Sequence, residues 1–171
     1  MSAPKPDRRP ATAVEIAALG SAVRLRIIRL THQRPMTNKE IANHLDRDPA
    51  TTLHHIRKLV DAGFLEALPP RRGNRGAREI PYRSTGRSWR LDNPGSGNRE
   101  VAEAVLQAYL AEVAKVDFTD LHQSRLVVQV DEAGREELNR RIAEVLDDFA
   151  SRPLDQGEPR TAVYVSLYPG E

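Results

Sequence analysis

The sequence predicts a mainly helical α+β fold. It consists of a helix-rich half ending in a small two-stranded ribbon, then a further long helix, then a small β-α-β region at the C-terminus. Three observations carry this. Residues 36–91 read as helix, short turn, helix and ribbon, with an arginine-rich ribbon tip. Residues 99–116 read as one helix with apolar side chains on more than one face. The last third reads as strand, helix, strand.

The central segment is the best specified. Thr37 precedes the first helix, Asn38 to Leu45, and Glu40 stands three residues on, the spacing of a capping box. Asp46-Arg47-Asp48 forms the turn. Asp48 can accept hydrogen bonds from the free N–H groups of the second helix, and Pro49 occupies the first helical position, where its missing N–H costs nothing. Gly63 supplies the left-handed conformation that closes the helix after Ala62. Phe64 to Leu68 then reads as a strand, Pro69-Pro70 ends it, and Ile80 to Ser84 is a second extended run. This order is a helix-turn-helix with a trailing wing, a design that places one helix in a DNA major groove.

The second helix has two faces. At 100° per residue, Leu53, Ile56, Leu59 and Val60 share the side expected to pack inward. Thr51, His54 and Lys58 lie opposite, flanked by His55 and Arg57, and no carboxylate interrupts them before Asp61. Short polar and basic groups on an outward face suit base edges and phosphates, although a plain solvated surface has the same composition. The ribbon tip, Arg71-Arg72-Gly73-Asn74-Arg75-Gly76-Ala77-Arg78, interleaves four arginines with two glycines. A cationic loop of this kind suits phosphate contact or a narrow minor groove, and self-repulsion leaves it little reason to pack on its own protein.

Charge separates along the chain. The net charge is only +2, yet residues 1–92 hold 18 Lys+Arg against 9 Asp+Glu, and residues 93–171 hold 8 against 15. A basic half with the helix-turn-helix beside an acidic half without one fits a DNA-binding domain joined to a dimerisation or regulatory region.

The run Ala18-Leu19-Gly20-Ser21-Ala22-Val23-Arg24-Leu25-Arg26-Ile27-Ile28-Arg29-Leu30 resembles the opening of ArsR-type winged-helix regulators. Ala50-Thr51-Thr52-Leu53-His54-His55-Ile56-Arg57-Lys58-Leu59 is similar to their recognition helix, and Asp61-Ala62-Gly63-Phe64-Leu65 to the turn that follows it. The resemblance covers about residues 12–91. It implies a homodimeric, mostly bacterial, repressor-like protein whose affinity for double-stranded DNA is switched by an effector. By position it implies DNA contact from Thr51, Thr52, His54, His55 and Lys58 on the helix and from Arg71, Arg72, Arg75 and Arg78 on the wing. Arg57, beside them on the helix, joins this candidate set.

The departures are informative too. Metal-sensing members carry a cysteine motif on the helix before the recognition helix, where this chain reads Asn38-Lys39-Glu40-Ile41-Ala42-Asn43-His44-Leu45. With no cysteine anywhere, thiolate coordination and a disulfide switch are excluded. Asp117, Asp120 and His122 form the one tight cluster of other ligand types, in a pattern that more commonly caps a helix end. His32 and His44 read as ordinary half-buried residues. No metal and no cofactor is expected.

The remaining organisation follows from composition. Residues 1–11 are expected to be a disordered basic tail, 12–92 the DNA-binding domain, 93–98 a linker, and 99–171 a dimerisation and regulatory region. Val101, Val105, Leu106, Tyr109, Leu110 and Val113 spread around the helix from Arg99 to Val116. A second copy of that helix is the expected partner, the alternative being residues 12–30 of the same chain. Arg125 to Val130 and Thr161 to Leu167 are expected strands. Between them Asp131 caps a helix with a single apolar stripe of Leu138, Ile142, Val145, Leu146 and Phe149. This region is the expected place for a small-molecule or protein effector.

No secretory leader or membrane span is expected, so the chain reads as cytoplasmic. Arginine outnumbers lysine 22 to 4, a usage that points to a GC-rich bacterial genome. No GxSxG elbow, phosphate-binding glycine loop or HExxH motif is present, so the expectation is a non-enzymatic, sequence-specific regulator that acts as a repressor. The competing class is a winged-helix module for protein–protein or RNA contact.

Overall fold

The computed structural model describes residues 8–73, 76, 78–92, 97–152 and 159–170. Residues 8–116 form one compact body, and the chain from Asp117 onward forms another. The helix that opens at Arg99 therefore belongs to the first body, so the boundary expected at 98/99 lies after Val116 instead.

The first body opens with α1, Ala13–Leu19, and α2, Ala22–Gln33. Thr12 and Glu15 close a capping box on α1. Arg24, buried on α2, donates from Nε to the carbonyl of Ala18 and from Nη2 to that of Ala17. Those carbonyls end α1 without intrahelical partners, and a cation is well placed at the negative end of a helix. β1, Met36–Thr37, leads into α3, Asn38–Leu45, whose expected capping box is present: Thr37 Oγ1 accepts from the Glu40 amide at 3.3 Å and Glu40 Oε2 accepts from the Thr37 amide at 2.7 Å. Asp46 takes the left-handed conformation at φ 53°, which a short polar side chain tolerates, and reverses the chain into α4, Pro49–Asp61. Gly63, at φ +75°, ends that segment. A Cβ there would lie 2.5 Å from an Arg87 guanidinium nitrogen, which that flexible side chain can yield, so it is the positive φ that favours glycine.

The wing is two paired pieces. β2, Leu65–Ala67, runs antiparallel to β5, Pro81–Ser84, and the outer ribbon pairs β3, Arg71–Arg72, with β4, Arg78–Glu79. β1 adds to the other edge of β5, giving a three-stranded sheet in the order β1-β5-β2. Glu66 and Arg83 sit directly opposite in this sheet and are paired at 2.8 Å. The core lies between the sheet and the helices: Leu19, Ile27, Met36, Ile41, Ile56, Leu59, Phe64 and Val101 are each essentially inaccessible to solvent.

α5, Arg99–Val113, buries Val101, Ala104 and Ala108, with contacts to α1 and α2. One face of this helix thus takes the intrachain partner expected as the alternative to a second copy. Leu106 and Leu110, one turn apart, stay exposed at 46% and 53%.

The expected tail is corrected in part. Residues 8–11, assigned to a disordered tail, are tied down, while residues 1–7 lie outside the described residues. The Arg9 backbone bridges to Leu91, with its amide donating to the Arg90 carbonyl at 3.1 Å and its carbonyl accepting from the Asp92 amide at 2.8 Å. The Arg9 guanidinium holds both oxygens of Glu15, at 2.5 and 2.9 Å. An arginine counted as tail charge instead neutralises a buried carboxylate. Of the linker, residues 93–96 lie outside the described residues.

In the second body the helix is as expected: α6, Glu132–Ala150, with Asp131 accepting from the Gly134 amide at 2.8 Å. The two flanking strands are absent. Arg125–Val130 and Thr161–Leu167 carry no ladder, although the chain end passes close to the first segment: a Cβ on Gly170 would meet Val127 at 3.3 Å. Two short strands and one helix enclose too little apolar surface to hold a sheet alone. Accordingly α6 buries no residue, and Val127, Val145, Phe149 and Val163 are all more than half exposed. Among the described residues, no helix is long and apolar enough to cross a membrane.

The Arg9–Glu15 clamp yields a test. Hydrogen bonds from Arg9, reinforced by Thr12 and opposed by burial, hold the Glu15 carboxyl down at about 2. Its contribution to stability is therefore complete above the ordinary glutamate range and lost as pH falls from that range toward 2. Glu15→Gln should lower the unfolding free energy at neutral pH by about 1–3 kcal/mol. It should also flatten the acid limb of the stability–pH curve, as read by urea melts at several pH values. An unchanged acid limb would show that the clamp does not contribute.

Candidate nucleic-acid interface

The orientation of α4 decides which residues can face a ligand. Thr52, Ile56 and Leu59, at i, i+4 and i+7, are completely buried, and Leu53 and Val60 flank them half-buried. The exposed face is consequently Ala50, Thr51, His54, Arg57, Lys58 and Asp61. Of the expected helix contacts, Thr51, His54, Arg57 and Lys58 lie together on this face.

Thr52 and His55 do not. Thr52 is fully buried and its hydroxyl donates to the Asp48 carbonyl at 2.9 Å, so it is a core residue with its polar group satisfied inside the helix. Its i, i+4 spacing from Ile56 carried that information in the sequence. His55 is half-buried, and its Nδ1 has no hydrogen-bond partner among the described residues. Burial first, then the charges of Arg24 and Arg47, push its pKa down, so the ring is neutral at neutral pH and offers phosphate no charge.

The first turn of α4 is firmly held. Asp48 accepts from the Thr51 amide at 2.8 Å and from its hydroxyl at 3.2 Å; these bonds hold the carboxyl below the usual aspartate range. Asn38 Nδ2, at the start of α3, donates to the Pro49 carbonyl at 2.9 Å. The wing is anchored to the same turn of α3. Arg71 Nη2 donates to Glu40 Oε2 at 3.2 Å, and Arg34 pairs with the other oxygen at 3.3 Å. The first turn of α3 thus braces α4 through Asn38 and the wing root through Glu40.

Arg71 therefore differs from the free cation expected of it: the wing packs on its own protein through this pair. Arg72 and Arg78 are exposed and stand directly opposite each other in the ribbon. Like charges in that register destabilise a ribbon that binds nothing, and a polyanion relieves the repulsion. Glu79, opposite Arg71, folds its carboxylate over Gly73, where a Cβ would come within 2.2 Å of it. Arg75 lies outside the described residues. Sequence reasoning passed over Arg47, exposed in the turn before α4; its position between two elements of the motif was the available signal.

The metal reading gains no support from the geometry. Asp117 accepts from the Thr119 amide and hydroxyl at 2.9 and 2.8 Å, capping a short 3-10 turn at Phe118–Asp120. Among the described residues, no three His, Asp or Glu side chains converge in a way that could hold an ion. His32 and His44 are exposed, not half-buried.

A family model described as a helix-turn-helix domain matches residues 19–66. No curated protein matches the chain. Solved structures similar to it include a possible transcriptional regulator from Methanosarcina mazei Go1, 14% identical over 60% of this chain and 81% of that one, with a TM-score of 0.35. The adhesin competence repressor AdcR from Streptococcus pyogenes is 18% identical over 73% and 79%, with a TM-score of 0.34. An apo form of a ZitR mutant from Lactococcus lactis is 16% identical over 78% and 86%, with a TM-score of 0.35. At these scores the likenesses carry no weight for this chain. The helix-turn-helix match, on a body with this sheet and ribbon, makes residues 8–116 a winged helix-turn-helix domain, a fold of the DNA-binding class.

Helix and wing are separable by mutation. Thr51→Ala with His54→Ala should cost about 1–3 kcal/mol per lost base contact and relax sequence preference. Arg72→Ala with Arg78→Ala should weaken binding to all duplexes and lower the salt slope by up to about 1 per contact. Thr52→Val should lose about 1 kcal/mol of stability and leave sequence preference intact. Fluorescence anisotropy over a salt series, with thermal melts, reads all three; a change of preference in Thr52→Val would reverse the inside–outside assignment of α4.

Proposed function

We propose that this chain is an ArsR-type, sequence-specific, double-stranded DNA-binding repressor that acts as a cytoplasmic homodimer. The observation that carries the proposal is the continuity of the exposed α4 face with the cationic ribbon. Thr51, His54, Arg57 and Lys58 lie on a helix capped and braced at its N-terminus, and Arg72 and Arg78 project from a ribbon anchored to the same brace. Side chains near the start of a recognition helix reach base edges, while ribbon cations contact the backbone.

The dimer follows from α5. Its inner face is taken by α1 and α2, and its outer face leaves Leu106 and Leu110 exposed on adjacent turns. A self-complementary contact through that face presents two recognition helices to an inverted repeat with half-sites about one helical turn, about 34 Å, apart.

Sedimentation and footprinting test this reading. The protein should sediment as a dimer and protect an imperfect inverted repeat, with the region upstream of its own gene the first sequence to try. Leu106→Glu with Leu110→Glu should give a folded monomer with much weaker operator affinity. A wild-type monomer with no affinity for any duplex at low salt sinks the proposal, and preference for RNA or for a protein over duplex DNA transfers the exposed face to the rival module class.

A further inference from the structure

A cavity of about 250 Å³ opens at the seam of α2, α3 and α5, away from both α4 and the wing. Its walls include Arg26, Arg29 and Leu30 from α2, His44 from α3, Glu112 from α5 and Lys115 just beyond it. Three of these side chains are basic and one is acidic. Glu112 is already committed: it accepts a hydrogen bond from, and pairs with, Arg29. Arg26 and Lys115 have no carboxylate partner among the described residues.

We propose that this cavity binds a small organic dianion, a dicarboxylate or a phosphomonoester, between Arg26 and Lys115. Two unneutralised cations facing one hollow repel each other, and an anion between them replaces that repulsion with two charge-assisted hydrogen bonds. Guanidinium and ammonium groups are both suited to oxyanions, the first through its planar fork and the second as a compact charge. At about 250 Å³ the cavity lies just below the usual range of ligand pockets, which fits a small metabolite rather than a drug-sized molecule. Leu30 and the arginine stems give the ligand's carbon skeleton an apolar wall.

The site also joins the parts that regulation would need to couple. α3 braces the recognition helix and the wing root, and α5 carries the exposed Leu106–Leu110 face. A ligand gripping Arg26 and Lys115 beside His44 bridges these helices, and it shifts DNA affinity only as far as it prefers one arrangement of them over another. The binding inference itself stands apart from the DNA reading, because it is measured on the free protein.

Isothermal titration of the DNA-free protein with succinate, glycerol 3-phosphate and inorganic phosphate in separate arms is the experiment. Saturable binding of one ligand per chain is expected, and the arm that binds tightest identifies the carboxylate or the phosphate as the preferred head group. Arg26→Ala with Lys115→Ala should weaken it at least about tenfold. Glu112→Gln, which frees Arg29, should tighten it, and this second variant decides the matter if the double variant fails to fold. Arg72→Ala with Arg78→Ala should leave it unchanged. Absence of saturable binding in every arm at millimolar ligand overturns the proposal. So does binding indifferent to Arg26, Lys115 and Glu112, or binding lost with the wing arginines.

Discussion

The rotation of α4 about its own axis is the constraint on which the rest of this protein depends. It is set by burial of Thr52, Ile56 and Leu59 in the core that also contains Ile27, Ile41 and Phe64. Each large apolar side chain removed from water there contributes about 1.5–3 kcal/mol, far more than any single polar contact on the outer face. A turn of 100° would bury Lys58 or expose Ile56, so the packing leaves one orientation. The polar face of Thr51, His54, Arg57 and Lys58 is what that orientation leaves in solvent. The chemistry available to a ligand is thus decided by what the core excludes.

Charge then fixes position where burial cannot. Glu40 is half-exposed, yet it closes the α3 capping box, meets Arg34 at the end of α2, and takes Arg71 from the wing root. Its carboxyl is held below the usual range by Thr37 and the two arginines against the opposing effect of burial. Individually such surface pairs contribute little. Here their value is geometric, because wing and helix-turn-helix are referenced to one helical turn. The Arg9–Glu15 clamp has the same character at the other end of the body, where it closes the segment before α1 onto the strand-like stretch at Leu91.

The two bodies differ in how completely they satisfy themselves. The first has a closed core and a sheet of three strands. The second presents α6 with a polar face laced by Arg140 and Arg141 pairing with Glu137 and Glu144, and an apolar stripe that buries none of its residues. Those i, i+3 and i, i+4 pairs support the helix by a few tenths of a kcal/mol each, while Leu138, Ile142 and Leu146 on the stripe are half-buried.

Elements whose causes are local were legible in the sequence. The bounds of α3 and α4, the caps at Thr37 and Asp48, the glycine stop at Gly63 and the start of α6 at Asp131 each depend on residues within one turn of chain. The basic character of α4 and of the ribbon was legible for the same reason. What depends on distant residues was not. β1 exists because Met36 and Thr37 pair with Tyr82 and Pro81, some 45 residues away in the chain, a pairing no local pattern announces. Arg9 and Arg71 looked like free cations until the fold brought Glu15 and Glu40 to them. His55 looked like an outward polar group until packing half-buried it, whereas Thr52, already on the inner face by its spacing from Ile56, was placed outward only by the family resemblance. The expected C-terminal strands had the right composition, but a strand is completed by its neighbours, and neither segment is in a ladder. Composition and local spacing determined which helices form and which surfaces are basic; only tertiary contacts decided which of those charges remain available, because a charge is spent or free according to what the fold places beside it.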